Sequence, residues 1–368
     1  MQPDSLISIV VPAYNEADDI RRTLEALVAQ TYPRREILVV DDCSTDETAS
    51  IAREYSAQGV RVLQTPRRSE RCAARNLGIR AARGDVVAIL NADVFPASDY
   101  LCRIAAHYRR GADYVLVESH IANTEALFPR YLEALHRAAY DGQDWVEWTE
   151  GFSCRRDAAL DVGLFPETPI PLSAGEDGYF GSRLAARGYR KVIDRSIVVP
   201  HVMPAALGPF WKQQVSRGRA TPVYFFFIER RPLALIVARA AVKSVRFLLA
   251  TALVVPVVVS CAGLCRRSPR GLRDLAGFCV ARVTSLLGHV YGEWRGIAEI
   301  VRYLRARRSP APAGGSGCTH QTTPPVEAGR VSRMSCTAVP TAPARLGRPN
   351  TPSTTTSTTE TASPNSPG

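Results

Sequence analysis

Four short apolar, β-branched runs, Leu6–Val11, Glu36–Val40, Val60–Gln64 and Val86–Leu90, open the chain at regular intervals. Helical patterns fill the gaps over Glu16–Gln30, Asp46–Ala57 and Glu70–Arg83, with Ile20, Leu24, Leu27 and Val28 at helical spacing in the first. Ser44 or Thr45 is placed to cap the second helix, with Asp46 and Glu47 in its positive first turn. The alternation continues to about residue 205 and leaves few options. It predicts an α/β domain with a mostly parallel sheet and helices on both faces. Such sheets take ligands at the carboxyl ends of their strands.

The strand ends carry the chemistry. The first run leads into Pro12-Ala-Tyr-Asn-Glu16, the second into Asp41-Asp42 and the fourth into Asn91-Ala-Asp93. The fold brings all three to one sheet edge. Carboxylates gathered there repel one another unless a cation or a donor-rich ligand joins them. Asp93 suits Mg²⁺ or Mn²⁺, which take oxygen ligands and keep few protein contacts beside phosphate. Any one aspartate after a strand reads equally well as a turn former. No phosphate-binding Gly-rich loop follows the first strand, and neither a zinc-protease helix nor a nucleophile elbow is found.

In combination the clusters are specific. Ile9-Val-Val-Pro-Ala-Tyr-Asn-Glu16, Val39-Val-Asp-Asp-Cys-Ser-Thr-Asp46, Ala74-Arg-Asn-Leu-Gly78, Leu90-Asn-Ala-Asp93 and Gly175-Glu-Asp-Gly178 occur in that order. The sequence resembles the family 2 glycosyltransferases from residue 6 to about 220. The resemblance implies the GT-A fold, a Rossmann-like sheet, and inverting transfer from a nucleotide-diphosphate sugar. It implies that Pro12, Tyr14, Glu16, Asp42, Arg71, Asn76 and Asn91 shape the nucleotide pocket. Asp93 would be the last carboxylate of the Asp-x-Asp motif and hold a divalent cation on the diphosphate. Asn91 departs from that motif, because it brings an amide where the pattern has a charge. Glu176 and Asp177 match the Glu-Asp motif at the start of a helix over Gly178–Arg187, with Asp177 as general base. His201, after Ile197-Val-Val-Pro, falls where related enzymes place a histidine near the diphosphate. Gln214-x-x-Arg217 resembles a segment of processive synthases, with Arg217 toward the diphosphate. Gly218 replaces that segment's tryptophan, which implies one sugar per encounter. Trp145, Trp148, Phe152 and Cys154 are candidates for an acceptor wall.

The remainder changes character. Residues 1–200 hold 24 Lys and Arg against 29 Asp and Glu, a net of −5, whereas residues 201–308 hold 18 against 4, a net of +14. Basicity confined to one segment argues for a membrane surface rather than nucleic acid. Phe247–Cys265 are uncharged between Arg246 and Arg266, enough for roughly 28 Å of helix. Pro232–Val245 and Leu275–Tyr291 are interrupted by Arg239, Lys243 and Arg282 and read as interfacial helices. Arginines on both sides of the uncharged run keep both flanks cytosolic. Either Pro256 kinks the run into a re-entrant hairpin, or Leu275–Tyr291 crosses back. Residues 309–368 hold 20 Ser or Thr, ten Pro and no aromatic residue, the composition of a disordered tail. Nine scattered cysteines without a Cys-x-x-Cys pair argue for a reducing compartment, and the N-terminus lacks the basic start of a signal peptide. The expected organisation is a catalytic domain over 1–220, a basic membrane-associated region over 221–308 and the tail. The expected function is sugar transfer to a lipid-linked or saccharide acceptor at the cytosolic face of the cell membrane. A nucleotide-sugar-binding membrane scaffold with weak catalysis is the alternative that Asn91 keeps open. A nucleotidyltransferase would want a basic Gly-rich loop that Pro12–Glu16 does not supply.

Overall fold

The computed structural model describes residues 5–308; the predicted tail lies outside the described residues. The strands are β1 (Ile7–Ala13), β2 (Arg35–Asp41), β3 (Val60–Gln64), β4 (Val86–Ile89), β5 (Tyr114–Ile121), β6 (Phe152–Arg155) and β7 (Lys191–His201). The helices are α1 (Ile20–Val28), α2 (Thr48–Glu54), α3 (Glu70–Ala81), α4 (Tyr100–Arg109), α5 (Leu127–Tyr140), α6 (Arg156–Asp161), α7 (Glu176–Ala186), α8 (Leu207–Phe227), α9 (Leu233–Leu253), α10 (Val255–Cys265) and α11 (Leu275–Arg308). The seven strands form one sheet in the order β3-β2-β1-β4-β6-β5-β7. β6 runs antiparallel to β4 and β5, and the other registers are parallel. The carboxyl ends of β1, β2 and β4 therefore share an edge with the start of β6.

β1 is buried on both faces because alternate residues feed two cores. Ile7, Ile9 and Val11 join Leu24 and Leu27 of α1 and Ile104 of α4. Val10 joins Ile79 of α3 and Phe180 and Leu184 of α7 on the opposite face. The four predicted strands and three predicted helices form. Asp46, rather than Ser44 or Thr45, starts α2: its Oδ1 accepts from Thr48 N at 3.0 Å and from Thr48 Oγ1 at 2.6 Å.

The basic region belongs to the same compact body as the sheet. α8 runs through residue 220 without a break, so no boundary falls there. α11 lies along α8 with almost no side chain between them: a Cβ on Gly218 would stand 2.3 Å from His289 O, and one on Gly292 would stand 2.2 Å from Val215 O. Leu275–Tyr291 is the first half of α11, and a Cβ on its Gly288 would stand 2.8 Å from Gln214 Cβ of α8. The Arg130 guanidinium of α5 makes a bidentate pair with Asp274 at 2.8 Å to each oxygen, both residues buried, and ties the start of α11 to the sheet domain.

The uncharged run is broken. Val254 takes φ +57 between α9 and α10, and the two helices meet at 85°, with Pro256 inside the first turn of α10. Among the described residues no single helix is long and apolar enough to cross a membrane; that pair reaches the length only together. Leu248, Leu253, Val255 and Val259 around the bend are each more than 60% exposed.

The α8–α11 contact yields a test. Gly218→Ala should lower stability by about 1–3 kcal/mol, the usual range for overpacking. A thermal melt reads this as a lower Tm. An unchanged Tm would mean that the two backbones do not meet.

Candidate active site

The site is assembled from loops that leave the carboxyl edge of the sheet. The loop after β1 is stitched to the loop after β2. Asn15 N donates to Ser44 Oγ at 3.0 Å, Thr45 N donates to Asn15 Oδ1 at 2.8 Å, and Glu16 N donates to Thr48 Oγ1 at 2.7 Å. Asn15 bends the chain with φ +54, a conformation asparagine tolerates. This holds Pro12, Tyr14 and Glu16 at the mouth, with the Arg68 guanidinium 3.9 Å from the Tyr14 ring centroid. Burial, then Asp19, raises the Glu16 carboxyl to about 7.

Asp93 follows β4. Burial raises its carboxyl to about 8, helped by Glu150 and Glu16, and its buried Oδ1 has no protein partner. His201 at the end of β7 is its neighbour: Val202 N donates to Asp93 O at 3.2 Å, and Val94 bridges to His201. Burial, then His136, lowers the His201 imidazole to about 4, so it is neutral near pH 7, with Nδ1 unpartnered. Among the described residues no three carboxylate, histidine or cysteine side chains converge as a closed metal cage. The orphaned Asp93 Oδ1 fits a cation that takes its remaining ligands from phosphate and water. Asp93 is the residue that would hold it.

Glu176 and Asp177 open α7, as expected, after Gly175 at φ +87. Glu176 is fully buried. Its Oε1 pairs with Arg75 Nη1 at 3.3 Å and Arg71 Nε at 3.7 Å. Burial and then Asp177 push its carboxyl above the ordinary range. Asp177 is half-buried and accepts from Gly178 N at 2.7 Å. Arg71 and Arg217 face the same space as Asp177 and Glu150. Arg217 makes no ion pair among the described residues, and burial, then Arg71, pull its guanidinium below the usual range. An unpaired arginine beside a second arginine is suited to an anionic group.

Three expected residues are used elsewhere. The Asp42 carboxylate accepts from Thr65 Oγ1 at 2.7 Å, Ser69 N at 2.9 Å and Glu70 N at 2.6 Å, so it caps α3 and is buried under it. Asn76 is buried and clamps the loop at Phe165, donating to Phe165 O at 2.9 Å and accepting from Phe165 N at 2.9 Å. Gln214 is buried against α11, where Ser285 Oγ donates to it at 3.0 Å. All three side chains are held by contacts within the fold. Phe152 and Cys154 are fully buried in β6, and Trp148 stacks on Phe152, so these are core. Trp145 is half exposed beside Tyr140, which lies near Asp177 and Arg217.

Two residues went unnoticed in the sequence. Arg75, 1% exposed, donates to Asn91 Oδ1 at 3.2 Å as well as to Glu176, and its guanidinium lies 5.2 and 5.0 Å from the Trp148 and Phe165 ring centroids. Glu150 accepts from Asn91 Nδ2 at 2.8 Å. Of the five buried side-chain polar atoms without a partner among the described residues, four belong here: Arg75 Nε, Asp93 Oδ1, Glu176 Oε2 and His201 Nδ1. Buried polar atoms are almost always paired, so their concentration marks where a polar ligand completes the structure.

The Glycosyl transferase family 2 profile matches residues 8–167. The chain is 31% identical to glycosyltransferase AglE of Haloferax volcanii over 230 residues, 58% of this chain and 72% of that one. This chain belongs to the family 2 glycosyltransferases. Its seven-stranded, mostly parallel sheet is the GT-A architecture. It is also 25% identical over 237 residues, 59% of this chain and 73% of the other, to the dolichyl N-acetyl-alpha-D-glucosaminyl phosphate 3-beta-D-2,3-diacetamido-2,3-dideoxy-beta-D-glucuronosyltransferase of Methanococcus voltae. Among solved structures it is similar to a mannosyltransferase of Pyrobaculum calidifontis in complex with GDP-Man and Mn2+, at 19% identity and TM-score 0.49, covering 85% of this chain and 78% of the other.

The raised carboxyls give a measurable sign. A carboxyl whose folded pKa exceeds its unfolded value holds its proton more tightly when folded. Its stabilising effect is complete below the ordinary value of 3.8 and is lost as pH rises through about 8 for Asp93. The metal-free Tm should therefore fall between about pH 4 and pH 8, the window spanned by the two values. Asp93→Asn should flatten that fall, and Mn²⁺ should raise the wild-type Tm most at the alkaline end. A variant melting profile that keeps the wild-type slope would remove Asp93 as its source.

Proposed function

We propose that this glycosyltransferase moves a single sugar, with inversion, from a nucleotide-diphosphate donor to a hydroxyl or phosphate acceptor at the cytosolic face of the cell membrane, using Mg²⁺ or Mn²⁺. The observation that carries the reading is the group of unpartnered buried atoms around Asp93, His201, Arg75 and Glu176, with Arg217 unpaired beside them. The cation, when bound, offsets the charge gained by the departing nucleotide diphosphate. The nucleoside lies over Pro12, Tyr14 and Glu16. Arg71 and Arg217 take the phosphate oxygens. Asp177 takes the proton of an acceptor hydroxyl from its place in the first turn of α7. Trp145 and Tyr140 offer ring faces to the acceptor. Gly218 supports transfer of one sugar per encounter, because its contact with the α11 backbone leaves no room for an aromatic side chain to hold a polymer end.

The membrane reading rests on the bend at Val254. Its exposed apolar side chains are flanked by Arg246, Arg266, Arg267, Arg270 and Arg273. A bent apolar element ringed by arginine inserts into one anionic leaflet and leaves both its ends on the same side. A lipid-linked acceptor suits that position, and the relative named for transfer onto a dolichyl sugar phosphate supports it.

The chemistry is tested by offering a panel of nucleotide sugars with membrane lipid extract, with and without Mn²⁺, and reading released nucleotide. Asp177→Asn should lower kcat by about 10²–10⁴-fold, the usual contribution of a general base, with donor affinity unchanged. Equal losses in kcat and donor affinity would place Asp177 in the binding site. NMR of the product should show the inverted anomer, and a retained one would refute single displacement.

The membrane reading has its own test. The full chain should float with vesicles containing anionic phospholipid, and paired Leu248→Glu and Leu249→Glu substitutions should release it. A cytosol-only reporter fused after Arg308 should be active. Activity of an extracytoplasmic reporter at that position instead would defeat the one-leaflet arrangement.

A further inference from the structure

Asn91-Ala-Asp93 brings one carboxylate to the donor where the family pattern brings two. The Asn91 side chain is held from both sides. Arg75 has only donors to offer, so it faces Oδ1, at 3.2 Å; Glu150 is an acceptor, so it faces Nδ2, at 2.8 Å. An aspartate at 91 could serve Arg75 but would set a second carboxylate against Glu150. The amide is the group that fits between a guanidinium and a carboxylate.

The position of Glu150 is built. On one side of it Thr149 Oγ1 accepts from Val117 N at 3.1 Å, and on the other Gly151 O accepts from Tyr100 Oη at 2.8 Å. Gly151 has φ +80, and a Cβ there would stand 2.7 Å from Val199 Cγ2. The backbone is therefore pinned just ahead of β6. Because β6 is antiparallel, its start lies at the edge where β4 ends and Asp93 begins. Glu150 Oε1 accepts no hydrogen bond among the described residues, and the buried Asp93 Oδ1 has no partner. Glu150 is also the charged neighbour that acts most strongly on Asp93. Two carboxylates with unused oxygens thus face one space.

We propose that Glu150 is the second carboxylate of the cation site at the donor diphosphate, its charge moved from position 91 to position 150 and held there by the Asn91 amide. The assignment rests on the metal-dependent reading above. It makes Asn91 a positioning residue, and the motif's departure at 91 no longer argues for weak catalysis.

The test is Mn²⁺ binding by the full chain, read from the electron paramagnetic resonance of free Mn²⁺ with UDP and, separately, with GDP. Glu150→Gln should weaken Mn²⁺ binding by about 10–100-fold, the range for disturbed metal surroundings. The variant's Tm at pH 6 should stay close to wild type, because the substituted side chain keeps an amide oxygen that accepts from Asn91. Adding Asn91→Asp to Glu150→Gln returns the carboxylate to 91, lets the new amide donate to it, and should restore most of the lost affinity. Unchanged affinity in Glu150→Gln, or no recovery in the double variant, would overturn the assignment while leaving metal dependence intact. A wild-type chain that binds no Mn²⁺ with either nucleotide would overturn both.

Discussion

Arg75 carries a full positive charge into a position with 1% exposure, and the site is organised around holding it there. A buried guanidinium is tolerated only where its donors and its charge are met. Trp148 and Phe165 lie within about 5 Å of it, Glu176 supplies the counter-charge and Asn91 an acceptor. Those partners come from the loop before β6, the loop after α6, the first turn of α7 and the loop after β4. One side chain of α3 thus fixes the donor edge of the sheet against the helix that presents Asp177. Removing one member of such a buried pair typically costs about 3–5 kcal/mol, because the other charge is left stranded. Two aromatic side chains beside β6, Trp148 and Phe165, pack near the Arg75 guanidinium, while Trp145 is half exposed.

Much of the sheet was legible in the sequence. Apolar β-branched runs buried on both faces leave little ambiguity, and the four expected strands and the helices between them lie where the pattern placed them. The loops after β1 and β4 and the start of α7 were legible too, because a parallel sheet sends all its strand ends to one edge. What periodicity could not resolve was which of two adjacent polar residues points into that edge. Arg75 and Asn76 are neighbours on α3; Arg75 enters the site and Asn76 turns away to hold the Phe165 loop. Asp42 sits among site loops yet is consumed by the amides that open α3. Gln214 and Arg217 are nearly one turn apart on α8, and only Arg217 faces the cleft. Glu150 was missed for a topological reason. It precedes a strand rather than following one, and only the antiparallel pairing of β6 with β4 brings it to the working edge.

The basic region departs from its sequence reading in a different way. Charge and hydropathy mark its surfaces but say nothing of how closely two helices approach. Gly288, Gly292 and Gly296 recur about one turn apart on α11 and face α8 around Gly218, and the close contact they allow joins α11 to α8 and hence to Arg217. The missing tryptophan at 218 is thereby a packing requirement as much as a functional one. The uncharged run reads as one span by length alone. Val254 at φ +57 turns it by 85°, and its apolar length is divided between two directions.

The electrostatics of the cleft bind these features into one mechanism. Glu16 and Asp93 carry carboxyls raised mainly by burial and by neighbouring carboxylates, which is the mark of acids without enough counter-charge. Arg217 on the opposite wall is a cation without a counter-ion. A nucleotide diphosphate alone would satisfy the arginines but worsen the carboxylates; a divalent cation alone would do the reverse. Under the proposed function, a cation and a diphosphate bound together would satisfy both at once, and each would raise the affinity for the other. The coupling is reciprocal, as linkage requires. Under the proposed function the leaving diphosphate gains negative charge on departure of the sugar, and Arg71 and Arg217 would stand where it accumulates. Little reorganisation is then needed at the moment of transfer, which is the condition under which fixed charges contribute most to rate.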